Sequence, residues 1–202
     1  MPASPFLTWV TLYNNYYEGI FPMANHLGNI TWHFPVYRAV FSINDYAPTK
    51  SLRKVLKSKT FEFKINHAFE QVIRNCAEPR RKEEGTWLSE PMIEAYIDLH
   101  QRGHAHSIEV YQEKTLVGGL YGVQIGSVFF GESMFSRVSN ASKVAFHFLM
   151  QVLKSNNFLL LDSQYLNDHT ELLGAKEIHH EEFTALLKLA RNAENSFKIT
   201  KP

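Results

Sequence analysis

The 202-residue sequence contains one cysteine, Cys76. A lone thiol closes no internal disulfide, which fits a reducing cytoplasm, and a chain of this length can be held by its own core. Long hydrophobic runs are missing as well. No stretch approaches the roughly 20 apolar residues of a membrane span. The opening MPASPFLTWV lacks the basic region and apolar segment of a secretory leader, so none is expected. Glycine is absent where a phosphate cradle would need it. VGGLYG falls inside an expected strand and RVSNASK, at the head of an expected helix, has none, which disfavours a coenzyme-phosphate loop. Gly118 and Gly119 suit close backbone approach or a bulge instead. Neither H-E-x-x-H nor G-x-S-x-G occurs, and His104, His106, His179 and His180 have no supporting cysteine pair. Zinc and serine hydrolase chemistry therefore lose support, and no metal or cofactor is expected.

What is present reads as one globular unit of ordinary composition, 45% hydrophobic and 20% charged, with a formal net charge of +1. Residues 1–48 are rich in aromatics, Asn and Pro and read as loop-heavy, with a short strand near Tyr37 to Ser42. TKSLRKVLKSK, residues 49–59, holds five basic residues and no acid. In a helix, Lys50, Lys54 and Lys57 share one face and Leu52, Val55 and Leu56 the other. FEFKI alternates as a strand should, followed by a helix with Asn66 at its N-cap.

After the charged EPRRKEEG, the segment LSEPMIEAYIDLHQRG predicts a helix, with Ser89 at the cap, Pro91 near the start and Gly103 past the end. HSIEVYQ, LVGGLYGVQIG and SVFFGESMFS predict an antiparallel meander turning at EKT. Asn140 is expected to cap a helix running to Lys154. FLLLDSQ reads as a buried strand, NDHTELLG as a short helix capped by Asn167, and HEEFTALLKLARN as a last helix. Together these predict an α+β fold with a mixed sheet and helices on both faces, split into a small N-terminal domain (1–60) and a larger domain (61–202).

Three features carry chemistry. The acid-free basic helix, with Arg80, Arg81 and Lys82 as a second cluster, points to a polyanion whose grip weakens with salt. Glu132 lies among aromatics on a buried strand, where a carboxylate is either paired in the core or functional. Asp162 and Gln164 stand two apart at a strand end, so an extended chain projects both from one face. A strand-end Asp can also simply cap the following turn.

The stretches GIFPM, EEGTWLSEPMIEAY, LHQRGHAHSIEVYQ, FFGESMFSRVSNASK and LLLDSQYLNDHTELLGAKEI closely resemble the bacterial leucyl/phenylalanyl-tRNA–protein transferases, in register from about Tyr16 to Phe183. The resemblance implies an N-acyltransferase-like domain that uses aminoacyl-tRNA in place of an acyl-coenzyme A donor. It implies transfer of leucyl or phenylalanyl to the α-amino group of proteins beginning with Arg or Lys, which creates a degradation signal, by a cytoplasmic monomer. By the same resemblance, Asp162 polarises Gln164, whose oxygen draws the proton of the attacking amine. Leu120, Phe129, Leu149 and Leu161 form the donor side-chain pocket, Phe129 and the leucines being equally readable as plain core. Glu132 sits at the aminoacyl-adenosine end, Tyr16 and Trp87 near the terminal adenosine, and Asn167 is a site residue or only a cap. Lys50, Arg53, Lys54 and Lys57 track tRNA phosphates.

The sequence also departs from the family pattern. The G-G-D-L lead-in is absent, Met23 replaces Trp in GIFPW, TWHFPVYR replaces W-W-S-P-D-P-R, and IHHEEF replaces a basic segment. These changes admit an alternative in which the same donor acylates a different peptide or small-molecule amine.

Overall fold

The computed structural model describes residues 7–25, 28–78 and 88–198. In chain order its elements are α1 (Trp9–Tyr17), β1 (Phe21–Ala24), β2 (Ile30–His33), β3 (Tyr37–Phe41), α2 (Lys50–Lys57), β4 (Glu62–Ile65), α3 (Phe69–Ala77) and α4 (Glu90–Gln101). They continue with β5 (Ala105–Gln112), β6 (Thr115–Ile125), β7 (Val128–Ser136), α5 (Ala141–Ser155), β8 (Leu160–Asp162), α6 (Asp168–Leu173), β9 (Lys176–His179) and α7 (His180–Ala190). The seven-stranded sheet runs β4-β5-β6-β7-β8-β3-β9, and β1 pairs with β2 in a separate hairpin. Among the described residues only the β7–β8 pairing is parallel. This is the α+β class with a mixed sheet flanked by helices that the element order predicted.

Side-chain alternation splits the sheet between two cores. Tyr121, Val123, Ile125, Val128 and Phe130 face α1, α3, α4 and α7, whereas Leu120 and Phe129 face α5. The meander turns at Glu113–Lys114, both at positive φ, as a tight two-residue hairpin requires. Gly118 and Gly119 have the role expected of them. A Cβ on Gly118 would meet the Ala141 Cβ at 2.6 Å, and one on Gly119 the Ile108 carbonyl at 2.8 Å. They let α5 and β5 lie close to β6.

Several expectations are corrected. The boundary near residue 60 does not divide the sheet, because β3 lies between β8 and β9, and Leu12, Tyr16 and Phe21 share a core with α3 and α4. The loop-heavy N-terminal segment contains α1 and the β1–β2 hairpin, and β9 was not foreseen. Asn66 is no helix cap. It adopts φ 57 and its Oδ1 accepts from the Ser107 amide, while the amides of His67 and Ala68 are taken by the buried Glu109 carboxylate. A distant acid thus does a local residue's work at the head of α3. Ser89 and Asn140 hold their N-cap positions without a side-chain cap bond, Asn140 at φ 69. Leu160 and Leu161 are buried, but Leu159 is 64% exposed. Helix α2 forms as expected, with Thr49 as its cap, Leu52 buried, and Lys50, Arg53, Lys54 and Lys57 exposed on its surface. No helix among the described residues is long and apolar enough to cross a membrane.

Candidate active site

β7 and β8 run parallel and end beside α6, leaving a cavity of about 460 Å³. Its floor is apolar, with Leu120, Leu149 and Leu161 joined by Phe41 and Phe146. Its rim is mixed, with Met23, Tyr165, Asn167 and Glu78, and its polar centre is Glu132 and Gln164. Such a space holds a leucine- or phenylalanine-sized side chain against a few placed polar groups.

A β-bulge aims Glu132. Tyr121 pairs with Ser133 and Gly122 with Gly131, so Glu132 is the extra residue of β7, turned out of the regular alternation towards the cavity. Its Oε1 accepts from Gln164 Nε2 at 2.7 Å and its Oε2 from the Tyr96 hydroxyl at 3.2 Å. The Tyr96 hydroxyl in turn lies 2.6 Å from that of Tyr16. Loss of water pushes the Glu132 carboxyl up to about 7, although its hydrogen bonds to Tyr16, Gln164 and Tyr96 pull the other way. The same burial raises Tyr16 and Tyr96, so both stay protonated donors.

Gln164 owes its position to Asp162. The peptide at Gln164 adopts φ 68, a left-handed conformation uncommon outside glycine, Asn and Asp. Its amide donates to Asp162 Oδ1 at 2.9 Å and its carbonyl accepts from the Ala39 amide at 3.0 Å. Asp162 itself is fully buried and does not line the cavity. Arg38 closes on it with two bonds, Nε to Oδ1 at 2.9 Å and Nη2 to Oδ2 at 2.7 Å. The guanidinium lies between the rings of Phe21 and Phe183 and donates to the Gly19 carbonyl. The extended-strand picture therefore fails. The chain turns at Gln164, sending its side chain to the cavity while the Asp162 carboxylate faces Arg38.

The remaining candidates divide. Leu120, Leu149, Leu161, Met23 and Asn167 line the cavity beside Glu132 and Gln164. Asn167 is also the cap of α6, accepting from the amides of His169 and Thr170 in a capping box. Phe129 does not line the cavity; it is fully buried with its ring stacked on Phe197. Tyr16 is buried, its ring against Phe130, so no base can stack on it. Trp87 and the cluster Arg80, Arg81 and Lys82 lie outside the described residues.

Sequence reasoning missed Tyr96 and did not assign Arg38 to Asp162. Tyr96 lies on α4, whose start and stop signals say nothing of which side chain meets a distant carboxylate. Of the histidines singled out, His104 packs on Tyr13, His106 stacks on Phe197, and His179 accepts from the Glu181 amide at the head of α7. His179, His180 and Glu181 bring ligand atoms within 4.8 Å of one another, and none of them lines the cavity.

A family model described as leucyl/phenylalanyl-tRNA protein transferase matches residues 40–188. The leucyl/phenylalanyl-tRNA–protein transferase of Chlorobaculum tepidum is 49% identical over 183 residues, 90% of this chain and 94% of that one. Among solved structures, L-PGS from Bacillus licheniformis superposes with a TM-score of 0.44 at 14% identity, over 79% of this chain and 51% of that one. The ribosomal-protein-alanine N-acetyltransferase of Brucella melitensis gives 0.39 at 12% identity, over 70% and 98%.

Proposed function

Because the chain belongs to the leucyl/phenylalanyl-tRNA protein transferase family, and is therefore an aminoacyltransferase, we propose that it moves leucyl or phenylalanyl from tRNA onto the α-amino group of proteins beginning with Arg or Lys. The product would carry a new N-terminal residue that marks it for degradation, in the cytoplasm, and the enzyme would act as a monomer. Relatives bear the name leucyl/phenylalanyl-tRNA–protein transferase, so a small-molecule amine as acceptor is not favoured.

The observation that carries the reading is the pairing of an apolar floor with the Gln164–Glu132 hydrogen bond. An aminoacyl ester is already activated, so most of the catalytic task is to hold amine and carbonyl together. The Leu or Phe side chain enters among Leu120, Leu149 and Leu161, and burial of that surface provides a few kcal/mol of selectivity. Gln164 Nε2 is committed to Glu132, which turns Gln164 Oε1 to the opposite side of the amide, where it accepts a hydrogen from the attacking amine. The amine, with an ordinary pKa near 8, attacks the ester carbonyl carbon; the bond from that carbon to the tRNA 3′ oxygen breaks with its electron pair on the oxygen, and the proton shed by the amine ends there as the 3′ hydroxyl.

Asp162 acts from behind. It fixes the Gln164 backbone and does not meet the amine, because it is sealed against Arg38 outside the cavity. With Tyr16 buried, the ring exposed beside the cavity is Tyr165, which suits stacking by the terminal adenosine. Lys50, Arg53, Lys54 and Lys57 hold the tRNA backbone without a sequence code.

The test is transfer of radiolabelled leucine or phenylalanine from charged tRNA to peptides beginning with Arg, Lys or Ala. Label on the Arg and Lys peptides alone supports the reading. Equal labelling of the Ala peptide, or none on any, overturns it.

A further inference from the structure

Beside the reaction cavity lies a second recess of about 470 Å³, and the two share Cys76, Glu78, Met134 and His169. They are therefore parts of one cleft, with Gln164 only in the first. The walls of the second are polar, formed by Asn75, Ser136, Arg137 and Ser142 as well as Glu78 and His169. We propose that this recess receives the first residues of the acceptor protein, and that Glu78 accepts the cationic side chain of its N-terminal Arg or Lys. The proposal rests on the acceptor reading above and extends it to a residue.

A site selecting a positive side chain needs a carboxylate with an oxygen left to accept from it. Among the described residues only Glu78 and Glu132 offer a carboxylate to either part of the cleft. Glu132 is bound by Gln164 and Tyr96 and holds its proton unusually well. Asp162 is sealed against Arg38. Glu78 remains, at the junction of the two spaces.

Its surroundings already fit a guanidinium. Arg137 Nη2 donates to Glu78 Oε1 at 2.8 Å and to Asn75 Oδ1 at 3.0 Å. No donor among the described residues is paired with Oε2. Glu78 and Arg137 are each about half exposed, 54% and 49%, so an ion pair there is weak and exchangeable. An incoming Arg or Lys side chain can take Oε2, or displace Arg137 altogether, while the α-amino group reaches back towards Gln164. A neutral N-terminal side chain gains nothing from this position, and an acidic one is repelled.

The experiment measures kcat and KM for Arg-, Lys-, Ala- and Glu-initiated peptides with leucyl-tRNA, in wild type, Glu78→Gln, Glu78→Lys and Arg137→Gln. Glu78→Gln should raise KM for the Arg and Lys peptides about fivefold, the upper end for a half-exposed ion pair, with kcat and the KM for tRNA within twofold. Arg137→Gln should lower KM for those peptides, because it removes the competitor. Glu78→Lys should abolish the preference for Arg over Glu. Unchanged peptide KM values in both Glu78 variants, with wild type still preferring Arg and Lys, would overturn the proposal and leave the acceptor reading intact. Absence of that preference in wild type would overturn both. A fall in kcat or in tRNA affinity as large as the change in peptide KM would place Glu78 outside the acceptor site.

Discussion

The two carboxylates on neighbouring strands, Asp162 on β8 and Glu132 on β7, are chemically alike and placed in opposite circumstances. Asp162 has a permanent countercharge in Arg38, two bonds to it, and no opening to the cavity. Among the described residues Glu132 has no cation against it; it has three neutral donors around it in Gln164, Tyr96 and Tyr16, and the cavity in front. The first arrangement suits a fixed post. The second suits a group whose charge responds to pH and to what occupies the site. Which acid belongs to the chemistry is thus decided by partners, and residue type alone does not decide it.

Removing the post should have the largest effect. Asp162→Ala leaves the Arg38 guanidinium buried and unpaired, an expected loss of about 3–5 kcal/mol in chemical denaturation. An Asp162→Ala protein as stable as wild type but inactive would erase the distinction and restore Asp162 to the reaction itself. Gln164→Ala should lower kcat about 100-fold, the lower end for a proton-handling group, with tRNA affinity and stability nearly unchanged. A comparable loss of stability would move Gln164 to the structural side.

The pH response of Glu132 comes next. Its folded pKa, about 7, lies above the ordinary 4.5. Its contribution to stability is therefore fully present below about pH 4.5 and is lost as pH rises through about 7. Activity should move the other way. Ionised Glu132 holds the Gln164 amino group and frees its oxygen, whereas the neutral acid can donate to that oxygen and block it. We expect kcat to rise through about pH 7, beneath a second limb from the acceptor amine near 8. Glu132→Gln should flatten the lower limb only, and a lower limb that persists in this variant would assign it to another group.

The smallest effect is expected on α2, far from both acids in role. Lys54→Ala should weaken tRNA binding a few-fold and reduce the slope of log affinity against log salt by about one. An unchanged slope would remove this helix from the RNA path.

Much of the scaffold was legible because its determinants are local. The Lys/Leu segregation of α2, the Pro91 start of α4, the turn at EKT and the Asn167 cap are each written within a few residues, and each formed. The cavity floor was legible in part, since Leu120, Leu149 and Leu161 do line it. Phe129, which the family resemblance placed with them, is the plain core that the sequence equally allowed, because a matching position does not say which part of a buried face stays open.

The sequence alone determined the helices after residue 48, the meander and the family, since periodicity, caps and motif spacing all act over short distances. Tertiary structure alone decided what the acids do. Arg38 meets Asp162 across 124 positions, Tyr16 meets Tyr96 across 80, and Gln164 meets Glu132 across 32. The bulge that aims Glu132 exists only once β6 and β7 pair. Desolvation and pairing depend on what the fold brings near a carboxylate, and no stretch of neighbouring residues encodes that.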